Sequence, residues 1–205
     1  MKSTREKVSY CIGLETGKNL KRQFSDMDVD LLQKGFQDGL ADELPQLGQE
    51  EIQSIMQALK QQIEQQQRHH YAKVSENNRK EGETFLEENK QKEGVKVLRS
   101  GLQYKVLHGG TGPKPNAGDI VSVHYRGSFI NGSIFDSSYE RGKPQVFPVS
   151  RVIPGWSEAL QLMQVGDKWQ IFVPHYLAYG EAGFGNEIGP CTTLVFEMEL
   201  IGINA

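Results

Sequence analysis

Cysteine is nearly missing from this chain. Cys11 and Cys191 are the two in 205 residues, far apart and with no Cys-x-x-Cys or metal-ligand spacing. A disulfide-rich scaffold is excluded. The two thiols read as isolated and semi-buried, although sequence alone does not forbid a bridge. Long apolar runs are missing too: no stretch of about 18 residues or more could span a bilayer. The first residues, Met-Lys-Ser-Thr-Arg-Glu-Lys, lack the apolar core of a signal peptide. As written, the chain stays in the compartment where it is made, which is a cytoplasmic placement. A sequence whose leader had been removed would look the same and belong to the periplasm or the outer membrane and cell surface. Excess basic charge is absent as well. Lys+Arg number 23 against 26 Asp+Glu, for a net charge of −3, so a phosphate-tracking nucleic-acid surface is disfavoured.

Familiar catalytic patterns are also lacking. His69-His70, His108, His124 and His175 show no ligand spacing, so no metal site is expected. Ser137 and Ser138 lie outside any Gly-x-Ser-x-Gly context. The loop Gly109-Gly110-Thr111-Gly112-Pro113 lacks the Gly-Lys-Ser/Thr ending that cradles phosphates. What remains is a chain with 37% hydrophobic and 24% charged residues, long enough for one large domain or two small ones.

The first half reads as helical. Residues 3–22 carry apolar or small positions at Val8, Cys11 and Ile12 and at Tyr10, Gly13, Leu14 and Gly17, giving two usable faces. Gly13 and Gly17 share a face. Each costs up to about 1 kcal/mol relative to alanine, which close helix–helix approach would repay. Phe24 to Asp28 is a linker, and Asp28 or Asp30 can cap a second helix bearing Val29, Leu32, Phe36 and Leu40. From Gln49 to Glu93 there is no proline and one glycine, Gly82, which predicts a rod of roughly 65–70 Å ended by Gly94. Ile52, Ile55, Met56, Leu59 and Ile63 form a stripe that needs a partner. Beyond Ile63 the apolar positions thin to Tyr71, Val74, Phe85 and Leu86, so the middle reads as solvated. Three such stripes make too little core to stand alone. A two-fold dimer is the economical solution, and a small monomeric three-helix domain with an exposed stalk is the alternative.

After Gly94 the chain becomes β-rich. Val95 to Leu98 is β-prone. Leu102, Tyr104 and Val106 alternate with Gln103, Lys105 and Leu107, and Asp119–Arg126, Lys168–Val173 and Thr192–Ile201 read as strands. Asn131-Gly132 between β-prone residues predicts a type I′ hairpin. Ser157 to Met163 is a short helix, and Tyr179 to Gly185 a glycine-rich flap. The expected architecture is α+β, with about five antiparallel strands and one helix. The stretch from Val146 to Trp156 combines short β-like alternation with Pro148 and Pro154. It is either plain core or the floor of a cavity.

Several separated motifs then line up in order: Tyr125, Asn131 to Ser138, Val152-Ile153-Pro154-Gly155-Trp156, Leu177-Ala178-Tyr179-Gly180 and Thr193 to Glu197. Over roughly residues 100–201 the chain resembles the FK506-binding-protein family of peptidyl-prolyl cis-trans isomerases. Val8-Ser9-Tyr10, Ile12-Gly13, Gly17, Glu83, Phe85-Leu86 and Asn89 are similar to the helical dimerisation region of the bacterial infectivity-potentiator subgroup. The resemblance implies residues 1–48 as a dimerisation domain, 49–94 as a connecting helix and 95–205 as an isomerase domain whose twisted half-barrel sheet wraps one short helix. It implies a proline pocket with Trp156 as floor and Asp136, Tyr179, Tyr125 and Phe135 completing the catalytic set. Phe147, Val152, Ile153 and Phe196 line it, Arg141 sits near Asp136 and Ile188 lies in the flap. It implies no cofactor, proline-containing polypeptides as clients, a homodimer, and inhibition by macrolides of the FK506 and rapamycin type. A holdase-like chaperone or surface binding module using the same pocket is the alternative function. The flap departs from the common family pattern: Glu187 precedes Ile188, and Gly189-Pro190 follows it.

Overall fold

The computed structural model describes residues 3–24 and 26–204; Ser25 of the expected linker, Met1, Lys2 and Ala205 lie outside them. Two compact units are present, residues 1–63 and 64–205.

In the first unit, α1 spans Thr4–Gln23 and opens with a capping box. The Ser3 hydroxyl accepts from the Glu6 N–H at 3.2 Å, and the Glu6 carboxylate accepts from the Ser3 N–H at 3.4 Å. α2 spans Val29–Leu40. Asp28 is its cap, with one carboxylate oxygen accepting from the N–H groups of Asp30 and Leu31 at 3.0 Å each. Asp30 instead supplies negative charge to the first turn. α3 begins at Gln49 and runs to Asn89, crossing the boundary between the units. Among the described residues of 3–63 no apolar side chain is buried. The one buried residue is Asp38, held by Lys34 at 2.6 Å. Nothing lies within 4 Å of where a side chain would start at Gly13 or Gly17. Cys11 is exposed rather than semi-buried, Cys191 is buried, and both are free.

The second unit holds an antiparallel sheet: β1 (Val95–Val97), β2 (Gln103–His108), β3 (Ile120–Phe129), β4 (Ile134–Ser137), β5 (Gln145–Pro148), β6 (Lys168–Val173) and β7 (Leu194–Ile203), with α4 (Pro154–Leu162) between β5 and β6. The order is β1-β2-β6-β7-β3-β4, and β5 also pairs with β3. Seven strands thus replace the five expected. The two additions, β1 and β5, are short and flank the main run, and Pro148 sits at the end of β5 where a missing N–H is tolerated. Val121, Val123 and Tyr125 of β3, Ile171 and Val173 of β6, and Leu194, Phe196, Met198 and Leu200 of β7 alternate onto one face. α4 fills that face with Trp156, Ala159 and Leu160, followed by Met163. Full burial of a Leu or Met side chain is worth about 1.5–3 kcal/mol, so these contacts fix the helix on the sheet. Pro154 at the helix start has its φ preset and loses no hydrogen bond there.

Two local expectations are corrected. A type I′ turn needs left-handed backbone at both central residues. Here the loop has three residues, Ile130-Asn131-Gly132, and Gly132 alone is left-handed (φ 87°). The Phe129 N–H donates to Ser133 O and the Gly132 N–H to Phe129 O, both at 2.9 Å. Asn131 spends its side-chain oxygen on the Ser133 N–H (3.0 Å) and hydroxyl (2.7 Å). The long helix also stops at Asn89, not near Glu93. The Asn89 amide is buried against Gln103 Oε1 (3.0 Å), and the Lys92 N–H closes a tight turn on Asn89 O.

That contact belongs to a larger one. Within the second unit, the later part of α3 packs on the sheet and the flap through Asn78, Gly82, Phe85 and Asn89, spaced by three or four residues. Phe85 meets Phe172 at 6.0 Å between ring centres. Gln103, expected on a polar face, is buried and donates to Leu86 O at 2.8 Å.

Candidate active site

A cavity of about 320 Å³ opens at the edge of the curved sheet above α4. Its floor is Trp156 in the first turn of α4, 4% exposed. Three rings meet Trp156 nearly edge-on: Tyr125 at 5.0 Å, Phe196 at 5.1 Å and Phe147 at 5.7 Å between centres. Such T-shaped packing adds roughly 0.5–1.5 kcal/mol per pair beyond area burial and fixes ring orientation. Val152 and Ile153, between β5 and α4, and Phe135 on β4 complete the apolar lining.

Phe135 and Asp136 are neighbours in sequence yet both line the cavity. A regular strand would send them to opposite faces. The β3–β4 register resolves this: Gly127 pairs with Asp136 and Ser128 with Ile134, leaving Phe135 as an extra residue in a bulge. Gly127 makes the space. A side chain there would start 2.6 Å from the Phe135 ring and 2.9 Å from Phe196.

The polar side of the cavity is a three-residue cluster. Asp136 accepts from the Tyr125 hydroxyl at 2.5 Å and from Arg141, and Arg141 also donates to the Tyr125 oxygen at 2.7 Å. Burial alone would raise the Asp136 pKa, but the Tyr125 hydroxyl and the Arg141 guanidinium together outweigh it, and the carboxyl lies below its usual range. Burial, aided by Asp136, pushes Tyr125 up to about 12. Asp136 is therefore an anion engaged by two donors, a poor general base. Burial and the Asp136 charge also raise Tyr179. The Tyr179 hydroxyl has no hydrogen-bond partner among the described residues, and its ring stacks on Phe184 at 5.0 Å.

Residues 112–201 match the family model described as FKBP-type peptidyl-prolyl cis-trans isomerase, and residues 5–106 match the domain amino terminal to it. The chain is 44% identical over 199 residues to the outer membrane protein MIP of Legionella longbeachae, covering 97% of this chain and 85% of that protein. This chain belongs to the FKBP-type peptidyl-prolyl cis-trans isomerases. It is also 41% identical to the FKBP-type 22 kDa peptidyl-prolyl cis-trans isomerase of Escherichia coli, over 96% of this chain and 94% of that one. The crystal structure of FkpA from Escherichia coli superposes with a TM-score of 0.77 at 34% identity, covering 99% of this chain and 98% of that chain.

In this isomerase nine of the sequence-expected site residues line one cavity: Tyr125, Phe135, Asp136, Phe147, Val152, Ile153, Trp156, Tyr179 and Phe196. Arg141 stands behind them, bonded to Asp136 and Tyr125. Ile188 lies in the flap and does not line this cavity. It is 4% exposed within the core cluster and exchanges two backbone hydrogen bonds with Phe184. Sequence reasoning missed Arg151, which lines the cavity, and Gly127. A glycine inside a β-patterned run signals a bulge or close approach, so Gly127 was detectable. Nothing in the pattern distinguishes Arg151 from any surface arginine.

Proposed function

We propose that this isomerase accelerates X–Pro rotation by drawing the prolyl segment onto Trp156 and supporting its twisted amide there. The barrier, roughly 18–20 kcal/mol, comes from amide resonance. Resonance places charge on the carbonyl oxygen, and water supports that charge. An apolar aromatic cavity withdraws the support from the planar amide more than from the twisted one, which is the selective stabilisation that catalysis needs. The observation that carries the reading is the convergence of four aromatic rings on one open cavity with a single anchored carboxylate. In this reading Asp136 orients the substrate, and Tyr179, with its hydroxyl unengaged, donates to a substrate carbonyl. Phe147, Val152, Ile153 and Phe196 hold the proline ring. Macrolides of the FK506 type compete for the same surface.

Residues 1–48 pair two copies of the chain, 49–94 connect and 95–205 carry the chemistry. The support for pairing is the exposure of Val29, Leu31, Phe36 and Leu40, with no buried apolar side chain among the described residues of their unit. A holdase role is the second reading, favoured by the same surface. The cytoplasmic placement gains no support from the relatives. We place the chain in the cell envelope, as the name of the Legionella relative has it, and fractionation checks this.

The test is turnover of a prolyl tetrapeptide. Asp136→Leu and Tyr179→Phe should each lower kcat/KM by about tenfold or more, the equivalent of one hydrogen bond realised in the transition state, with unfolding still cooperative. Unchanged turnover in both variants would sink these roles.

A further inference from the structure

The flap from Gly180 to Thr193 connects the cavity residue Tyr179 to β7. Its own hydrogen bonds are few: the Phe184–Ile188 pair, the Cys191 N–H on Gly180 O at 2.9 Å and the Thr192 hydroxyl on Gly189 O at 2.8 Å, with the Ile188 and Cys191 side chains buried between them and the core. Its two ends rest on α3. At the start, the Tyr71 hydroxyl donates to Glu181 O, and Arg79 faces the Glu181 carboxylate at 3.5 Å. At the end, the Asn78 amide donates to Pro190 O at 2.7 Å and to the Thr192 hydroxyl at 3.3 Å, and Arg79 reaches the Cys191 sulfur at 3.5 Å. The approach is as close as the helix allows, because at Gly82 there is no side chain to hold Thr193 away. A helix hydrogen-bonded along its length is a stiffer reference than a glycine-rich loop.

From this we infer that Asn78 and Arg79 of α3 are positioning residues for isomerisation: they clamp both ends of the flap and so fix where Tyr179 stands in the cavity. The inference rests on the reading of Tyr179 as a pocket residue. The carboxamide is the key group, since it ties the flap exit through two acceptors, while the guanidinium bridges entrance and exit. Neither touches the cavity, so their removal leaves the lining chemically intact.

The experiment uses the full chain with Asn78→Ala and Arg79→Ala combined, both helix-compatible substitutions. Hydrogen exchange of the Gly180, Phe184, Ile188 and Cys191 amides should quicken by about tenfold, with β7 amides unchanged. The value of kcat on a prolyl tetrapeptide should fall several-fold with KM little altered. The deciding readout is coupling: in a Tyr179→Phe background the two substitutions should cost nothing further. The charge-reversed Arg79→Glu should lose activity and Arg79→Glu with Glu181→Arg regain it. Wild-type turnover in the double variant, or losses that simply add to that of Tyr179→Phe, overturns the inference and leaves the pocket reading standing. A silent Tyr179→Phe overturns both.

Discussion

Gly82 offers the sharpest stability test because the effect of one methyl group should change sign with its neighbour. A Cβ at this position would lie 2.3 Å from the Thr193 hydroxyl oxygen and 3.0 Å from Thr193 Cβ. That is about 1 Å inside ordinary van der Waals contact. Thr193 is 3% exposed and β-branched, so it has little freedom to swing aside. Forcing a methyl into a packed contact costs about 1–3 kcal/mol. Against it stands the gain of about 1 kcal/mol for alanine over glycine inside a helix. Gly82→Ala alone should therefore be destabilising by up to about 2 kcal/mol. With Thr193→Ala already in place the clash is gone, and the same Gly82→Ala should stabilise by about 1 kcal/mol. Urea unfolding followed by tryptophan fluorescence reports this unit alone, since Trp156 and Trp169 both lie in it. If Gly82→Ala stabilises the wild-type background, or acts identically in both, the close docking of α3 on the flap is wrong.

Two further expectations follow from the charges and from α1. Asp136 has a lowered pKa in the folded chain, so its contribution is complete above the unfolded value of about 3.9 and is lost as pH falls through the lower folded value. Tyr125 is raised to about 12, and so is Tyr139, beyond β4, by burial and by the hydrogen bond its hydroxyl donates to Glu199 at 3.1 Å, so their contribution is complete below about 10 and is lost as pH climbs towards 12. Stability against pH should flatten on the acid limb in Asp136→Asn and on the alkaline limb in Tyr125→Phe and Tyr139→Phe; limbs that superpose on wild type reject the assignment. Gly13→Ala and Gly17→Ala meet no atom within the chain and should simply strengthen α1 by about 1 kcal/mol each in a monomer. If the glycines seat a second copy, sedimentation of the full chain should instead show a weakened dimer; an unchanged dimer excludes these glycines from the interface.

The site was more legible than its support. Trp156, Phe147 and Tyr125 stand in apolar runs whose period and breaks place them, and the motif order around them is specific. The bulge that turns Phe135 and Asp136 the same way leaves only Gly127 as a trace, and that trace is ambiguous. The misread turn at Asn131-Gly132 shows why dipeptide signals fail: the asparagine spends its side chain on Ser133, and the loop takes one more residue. The later half of α3 reads as solvated because its contact stripe is written in asparagine, arginine, glycine and two aromatic residues, Tyr71 and Phe85. Hydrophobic periodicity does not detect a docking face made of amides, and nothing local marks Gln103 as the buried partner of Asn89.

That composition has a thermal consequence. Exposure of apolar surface raises heat capacity and exposure of polar surface lowers it. Releasing Asn78, Gly82 and Asn89 from the flap and sheet would bare amides and the hydroxyls of Thr192 and Thr193, with Phe85 as the main apolar group. The two contributions oppose each other, so detachment of this helix would carry enthalpy with little heat-capacity change. Its free energy would then vary almost linearly with temperature, unlike the curved profile of the aromatic core beneath Trp156. Warming would separate the two processes, and the clamp would weaken across a range in which the core hardly responds.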